Sequence, residues 1–218
     1  MEKDVMIFDF DSTLVDSLGF WKKTIEKLSY KHYGIKPDNR LNGLIHGGNN
    51  LEKARKVIKI FQVEDDCYNL LEHWKSQMAY FYTHKIKIIK QAREFLVNLK
   101  EQGKRLVIAS ATDSDLLKIA LKHFDIDFFE EIYTENGLKI SKNTPEFYET
   151  CLKLLKTDKE SVLFFEDSYS AIKTAVEYGI ECIGVNNKFN KNHKKDLNKL
   201  CTFTVKDFKD KKLDCLRK

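Results

Sequence analysis

Proline is nearly missing from this chain, with two residues in 218, and glycine is sparse at nine. That scarcity excludes collagen-like, linker-like and low-complexity architectures, which depend on those residues. Cys67, Cys151, Cys182, Cys201 and Cys215 are odd in number, far apart and without a C-x-x-C pair, so neither a disulfide framework nor a zinc site is indicated. No apolar run approaches the length of a membrane span, and Met-Glu-Lys-Asp leads straight into a strand-like run instead of a leader pattern. The expectation is a soluble, cytoplasmic protein with no membrane partner.

Present instead are 42% hydrophobic and 12% aromatic residues, the composition of an ordered globular chain able to bury a proper core. The net charge of +5 comes from 38 basic against 33 acidic residues, and much of the surplus lies after residue 187 in "KFNKNHKKDLNK" and "KDFKDKKLDCLRK". These lysine runs are poor in arginine and interleaved aromatics, which favours a solvated face, and no nucleic-acid partner is expected.

Four runs, "VMIF" (5 to 8), "RLVIAS" (105 to 110), "SVLFFED" (161 to 167) and "IECIGV" (180 to 185), are continuously apolar rather than alternating and read as fully buried strands. Amphipathic helical patterns separate them, including "NTPEFYETCLKLLK" with Thr144 as cap and Pro145 in the first turn, and "SYSAIKTAVEYG" ending at Gly179. This alternation predicts an α/β fold, a Rossmann-like doubly wound parallel sheet. Residues 16–85 break it with three amphipathic helical stretches, so the chain divides into a core of residues 1–15 and 86–218 and an inserted helical lobe of residues 16–85. The glycine-rich "NGLIHGGNN", residues 42 to 50, reads as a loop between two of those helices.

The first strand ends in Asp9 and Asp11 with Phe10 between them, and like charges held close need a cation or a task. Ligands in open α/β sheets gather outside the carboxyl ends of the strands. Those ends carry Asp9 and Asp11, then Ser110, then Glu166 and Asp167. Several acids converging on one edge suit a hard divalent cation with oxygen ligands, magnesium best, and Lys142 supplies a balancing positive charge. Alone, Asp11-Ser12-Thr13 and Glu166-Asp167-Ser168 could each be no more than helix caps. A calcium loop fails because Leu14 stands where glycine is needed and Phe20 where the closing glutamate belongs, and no P-loop or dinucleotide fingerprint follows the first strand.

Together, "DFDSTLVDS", "VIASATD", "SKNTPEFY" and "FFEDSYSAIKTAVEYGI" resemble the four ordered motifs of the haloacid dehalogenase superfamily, in its phosphatase and phosphomutase branch with a helical cap after the first motif. The resemblance implies that Asp9 is the nucleophile that forms an aspartyl-phosphate and a ligand of Mg2+. It implies that Asp11 is the acid and then the base, binding the metal through its main-chain carbonyl. Asp167 and Glu166 would complete the metal site, Ser110, the N–H of Ala111 and Lys142 would hold the phosphate, and the helical lobe would act as a lid. Trp21, His46 and Asn49 are the candidate substrate contacts in that lobe.

The implied activity is magnesium-dependent hydrolysis of a small-molecule phosphate ester. An acid at position 11 argues against the dehalogenating and phosphonate-cleaving branches. Trp21 stands where the sugar phosphomutases carry a histidine, and "HGGNN" where they carry an arginine; a phosphomutase of the beta-phosphoglucomutase type is the alternative, with a catalytically idle binding protein behind it. The third motif reads Lys142-Asn143-Thr144-Pro145 in place of the usual K-P-x-P.

Overall fold

The computed structural model describes residues 3–43 and 49–217. The chain runs β1 (Val5–Phe8), then α1 (Leu18–Tyr33), α2 (Asn39–Gly43), α3 (Asn50–Phe61) and α4 (Cys67–His84). It continues through α5 (Ala92–Glu101), β2 (Arg105–Ser110), α6 (Ser114–His123), β3 (Glu131–Thr134), α7 (Glu135–Leu138) and α8 (Pro145–Leu155). It ends with β4 (Val162–Glu166), α9 (Tyr169–Tyr178), β5 (Glu181–Val185), α10 (Lys194–Leu200) and β6 (Phe203–Val205).

The six strands form one parallel sheet in the order β3-β2-β1-β4-β5-β6. The doubly wound fold read from the alternation is therefore present, with two strands added at its edges. The direction of winding reverses between β1 and β4, and that switch point is where such a sheet opens a crevice. Both faces are covered. Met6 and Phe8 join Leu106, Ile108 and Phe165 under α5, α6 and Phe208, while Val5 and Ile7 join Val107 and Phe164 under α8, α9 and α10. An apolar residue at every position of β1 follows from this double burial. Phe8 stacks on Phe165 with ring centroids 4.4 Å apart, and burying each such ring contributes about 1.5–3 kcal/mol.

The helices α1, α3 and α4 pack on one another through Trp21, Ile25, Ala54, Val57, Trp74 and Met78, and their apolar cluster is continuous with one face of the sheet. The chain leaves β1 for these helices and returns from them at one place. Val15 bridges Ile88 antiparallel, Asp16 N–H donates to Lys87 O at 3.0 Å, and Ile89 N–H donates to Leu14 O at 2.8 Å. The loop expected over residues 42 to 50 is shorter than that at both ends, because Asn42 and Gly43 finish α2, and Asn50 opens α3. Among the described residues, no helix is long and apolar enough to cross a membrane.

Candidate active site

Extended geometry carries past the end of β1, with Asp9 N–H donating to Phe165 O at 2.9 Å, and Phe10 therefore points into the core while Asp9 and Asp11 share the other side. The chain then turns sharply. Ser12 adopts a left-handed φ of 63°, its N–H donates to Val15 O at 2.7 Å, and Leu14 N–H closes on Phe10 O at 2.9 Å. This turn fixes both carboxylates at the mouth of the switch point.

Lys142 comes from the loop before α8, and its ammonium donates to Asp9 Oδ1 at 2.6 Å, Glu166 Oε2 at 2.7 Å and Ala109 O at 3.1 Å. All three N–H groups of the ammonium are thereby used. Burial works against its charge, but Asp9 and Glu166 more than offset that and hold its pKa well above the usual lysine value. The loop that delivers it is anchored by Glu135, whose Oε1 accepts from Lys142 N–H at 2.7 Å and Ser141 Oγ at 3.2 Å.

Glu166 ends β4 and turns its other oxygen, Oε1, onto the N–H groups of Asp167 at 3.0 Å and Ser168 at 2.9 Å. It thus ties the start of α9 to Lys142. Asp167 is aimed by Asn187, whose Nδ2 donates to its Oδ2 at 2.6 Å, and Asn190 Nδ2 holds the Asp167 carbonyl at 3.0 Å. One carboxylate oxygen from each of Asp9, Glu166 and Asp167 lies within 4.8 Å of the others, and all three residues are buried. Three carboxylates against one ammonium leave an excess of negative charge. Burial first, then Glu166, pushes Asp9 up to about 8 against the pull of Lys142, and Asp167 is raised well above the carboxylate range by burial, Glu166 and Asp9. An all-oxygen set with surplus negative charge fits a hard divalent cation.

Asp11 sits apart from that cluster and is held by different partners. Its Oδ1 accepts from Tyr82 OH at 2.5 Å and Trp21 Nε1 at 3.2 Å, and its Oδ2 accepts from Thr112 Oγ1 at 2.6 Å. Burial, then the Asp11 charge, raises the Tyr82 hydroxyl well above its usual pKa, so it remains a donor. The two acids of the first motif therefore have separate surroundings, Asp9 on a lysine and Asp11 on neutral donors.

Around them lies a cleft of about 460 Å³, lined on the sheet side by Ser110, Ala111, Lys142 and Asp167 and on the helical side by Trp21, Asn50 and Lys53. Ser110 is buried, with its Oγ accepting from Thr112 N–H at 3.1 Å. Of the sequence-expected residues, Asp9, Asp11, Ser110, Ala111, Lys142, Glu166, Asp167 and Trp21 all line this cleft. Asn49 instead caps α3, its side chain accepting from Glu52 N–H at 2.9 Å, and the next residue, Asn50, is the one that faces the cleft. His46 lies outside the described residues.

Tyr82, Thr112, Glu135, Asn187 and Asn190 were not found from sequence. Only Tyr82 left a signal there, as a tyrosine on the inward face of a helix whose hydroxyl needs a partner.

A family model described as Haloacid dehalogenase-like hydrolase matches residues 6–185. The chain is 25% identical over 181 residues to a Phosphorylated carbohydrates phosphatase of Thermotoga maritima, covering 83% of each protein. Among solved structures, CbbY from Rhodobacter sphaeroides in complex with phosphate matches with a TM-score of 0.82 at 15% identity, over 94% of this chain and 95% of that one. A beta-phosphoglucomutase from Clostridium difficile matches with a TM-score of 0.79 at 18% identity, over 98% and 95%. At those identities the two structures establish a shared fold.

Proposed function

The chain belongs to the haloacid dehalogenase-like hydrolases, and on that footing we propose that it is a magnesium-dependent phosphatase of small phosphorylated metabolites, phosphorylated carbohydrates among them, working through an aspartyl-phosphate on Asp9. The observation that carries the reading is the separation of the two first-motif acids, one clamped by Lys142 and the other held by Tyr82, Trp21 and Thr112.

With Oδ1 engaged by Lys142, the other Asp9 oxygen is the one to attack phosphorus, forming the Asp9–phosphorus bond as the bond to the leaving oxygen breaks. Asp11 delivers a proton to that leaving oxygen. In the second step Asp11 takes a proton from water, the water oxygen bonds to phosphorus, and the Asp9–phosphorus bond breaks to release inorganic phosphate. Ser110 and the Ala111 N–H serve as donors to the phosphoryl oxygens, and Lys142 offsets their charge, which is most of what phosphoryl transfer asks of a protein. Asp9, Asp167 and the Asp11 carbonyl would hold Mg2+, with Glu166 behind them fixing Lys142 and the start of α9. The bound cation would neutralise charge that develops on the phosphoryl oxygens. Residues 16–85 serve as a cap over this edge, excluding water and selecting the leaving group.

Trp21 hydrogen-bonds Asp11 at the position where phosphomutases of this branch carry a histidine, which favours transfer to water. The test is phosphate release from an aryl phosphate and from sugar phosphates, with magnesium and with a chelator. Release is expected to need the metal and to vanish in Asp9→Asn and Asp11→Asn. Activity retained by purified Asp9→Asn overturns the nucleophile assignment.

A further inference from the structure

The steps above use the sheet side of the cleft and, from its helical wall, Trp21, and they leave Asn50 and Lys53 on that wall without a task. On that wall, Asn50 and Lys53 stand three residues apart at the start of α3, on the same side of the helix as the buried Ala54 and Val57. Asn50 is only 3% exposed, and among the described residues its Nδ2 has no hydrogen-bond partner. A buried amide donor left unpaired costs about 1–3 kcal/mol, so its N–H groups point to a ligand rather than to packing. Lys53 is half-buried and makes no side-chain hydrogen bond or ion pair among the described residues.

The groups whose charges reach Lys53 are Asp11 and Glu135 across the cleft and Glu52 and Lys56 on its own helix. Burial holds its pKa below the usual lysine value against the pull of both acids. Glu135 already anchors the Lys142 loop through Oε1, and Asp11 is taken up by three donors. The Lys53 ammonium and the unpaired Asn50 Nδ2 stand side by side at the same cleft, and each is a donor. Such a pair recognises an oxygen-bearing anion.

We propose that Asn50 and Lys53 bind a second anionic group on the leaving-group side of the substrate, a carboxylate or a second phosphate, and so make the enzyme selective for doubly anionic phosphate esters. This rests on the reading of the cleft as a phosphatase site. The transferred phosphoryl group lies with Ser110 and Lys142 on the sheet side, and the far end of the same small molecule meets α3.

The test separates binding from turnover. The full-length Asp9→Asn protein, with magnesium, is titrated calorimetrically with glycerol phosphate (one anionic group), 3-phosphoglycerate (phosphate and carboxylate) and propane-1,3-diol bisphosphate (two phosphates). At least one doubly anionic ligand is expected to bind about tenfold or more tightly than glycerol phosphate, as one charge-assisted contact supplies. Adding Lys53→Met is expected to erase that preference, Lys53→Arg to keep most of it, and Asn50→Ala to reduce it. Which ligand gains identifies the group as carboxylate or phosphate.

A preference below about twofold in the Asp9→Asn protein overturns the proposal, and so does Lys53→Met weakening all three ligands equally, since Lys53 then only offsets Asp11 and Glu135. If the preference and its loss hold while the wild-type protein releases phosphate from none of these esters and from no aryl or sugar phosphate, the subsite stands and the hydrolytic reading falls. If hydrolysis holds without the preference, the reverse is true.

Discussion

Lys142 is the residue on which the acidic cluster depends. Its ammonium holds Asp9 and Glu166 together in a buried site, where two carboxylates would otherwise repel each other. Replacing Lys142 with methionine keeps the volume but leaves both carboxylates buried without their cation. A loss of about 3–5 kcal/mol in unfolding free energy is expected, measured by urea denaturation without metal, with part of it restored by added magnesium. A loss below 1 kcal/mol would show that the cluster relaxes by taking up protons instead.

At this scale the sequence was informative where a residue's place in the cleft follows from its position at a strand end. Asp9, Asp11, Ser110, Glu166 and Asp167 were legible for that reason, and Lys142 from the turn before Pro145. Glu135, Asn187 and Asn190 were not. Each acts by orienting another residue, and a short polar side chain in a loop looks the same in sequence whether it does so or faces solvent.

Among the elements, the inner strands β1, β2, β4 and β5 could be read from sequence because burial on both faces writes an uninterrupted apolar run. β3, reading EIYT with Glu131 exposed, and the three-residue β6 could not, since an edge strand needs neither length nor continuous apolarity. The helices α1, α3 and α4 were recognisable by their periodicity, but periodicity shows which face is buried and not what that face touches. Here α1 and α4 do more than pack. Trp21 and Tyr82 carry the two helices onto Asp11, so the placement of the Asp11 carboxylate depends on how helices from outside the sheet are seated. Tyr82→Phe is expected to lower kcat/KM about tenfold or more while costing only about 1 kcal/mol of stability, because one donor to a charged group is lost and the ring remains. Steady-state kinetics beside thermal melting would decide, and an unchanged kcat/KM would reduce Tyr82 to packing.

Across the whole molecule, the motifs are scattered along the sequence and meet only because parallel strands all end at the same edge. The winding reverses between β1 and β4, and the two acid pairs flank that reversal. Fold class could be inferred from the alternation of strands and helices, whereas the wall built by α3 could not, because it depends on how separate helices are set over the edge.

The central position of β1 carries a further consequence, for synthesis. Its two neighbours are Arg105–Ser110 and Val162–Glu166, both later in the chain, so β1 cannot be flanked on both sides until synthesis has passed Glu166. At ordinary translation speeds the wait is on the order of ten seconds. For that interval an apolar strand with unpaired edges is a natural client for chaperones at the ribosome. Ribosome-bound chains stalled before β4 has left the exit tunnel should therefore be cut readily by protease between β1 and β2. Protection should appear abruptly once β4 emerges, and gradual protection from β2 onward would show that half the sheet folds by itself.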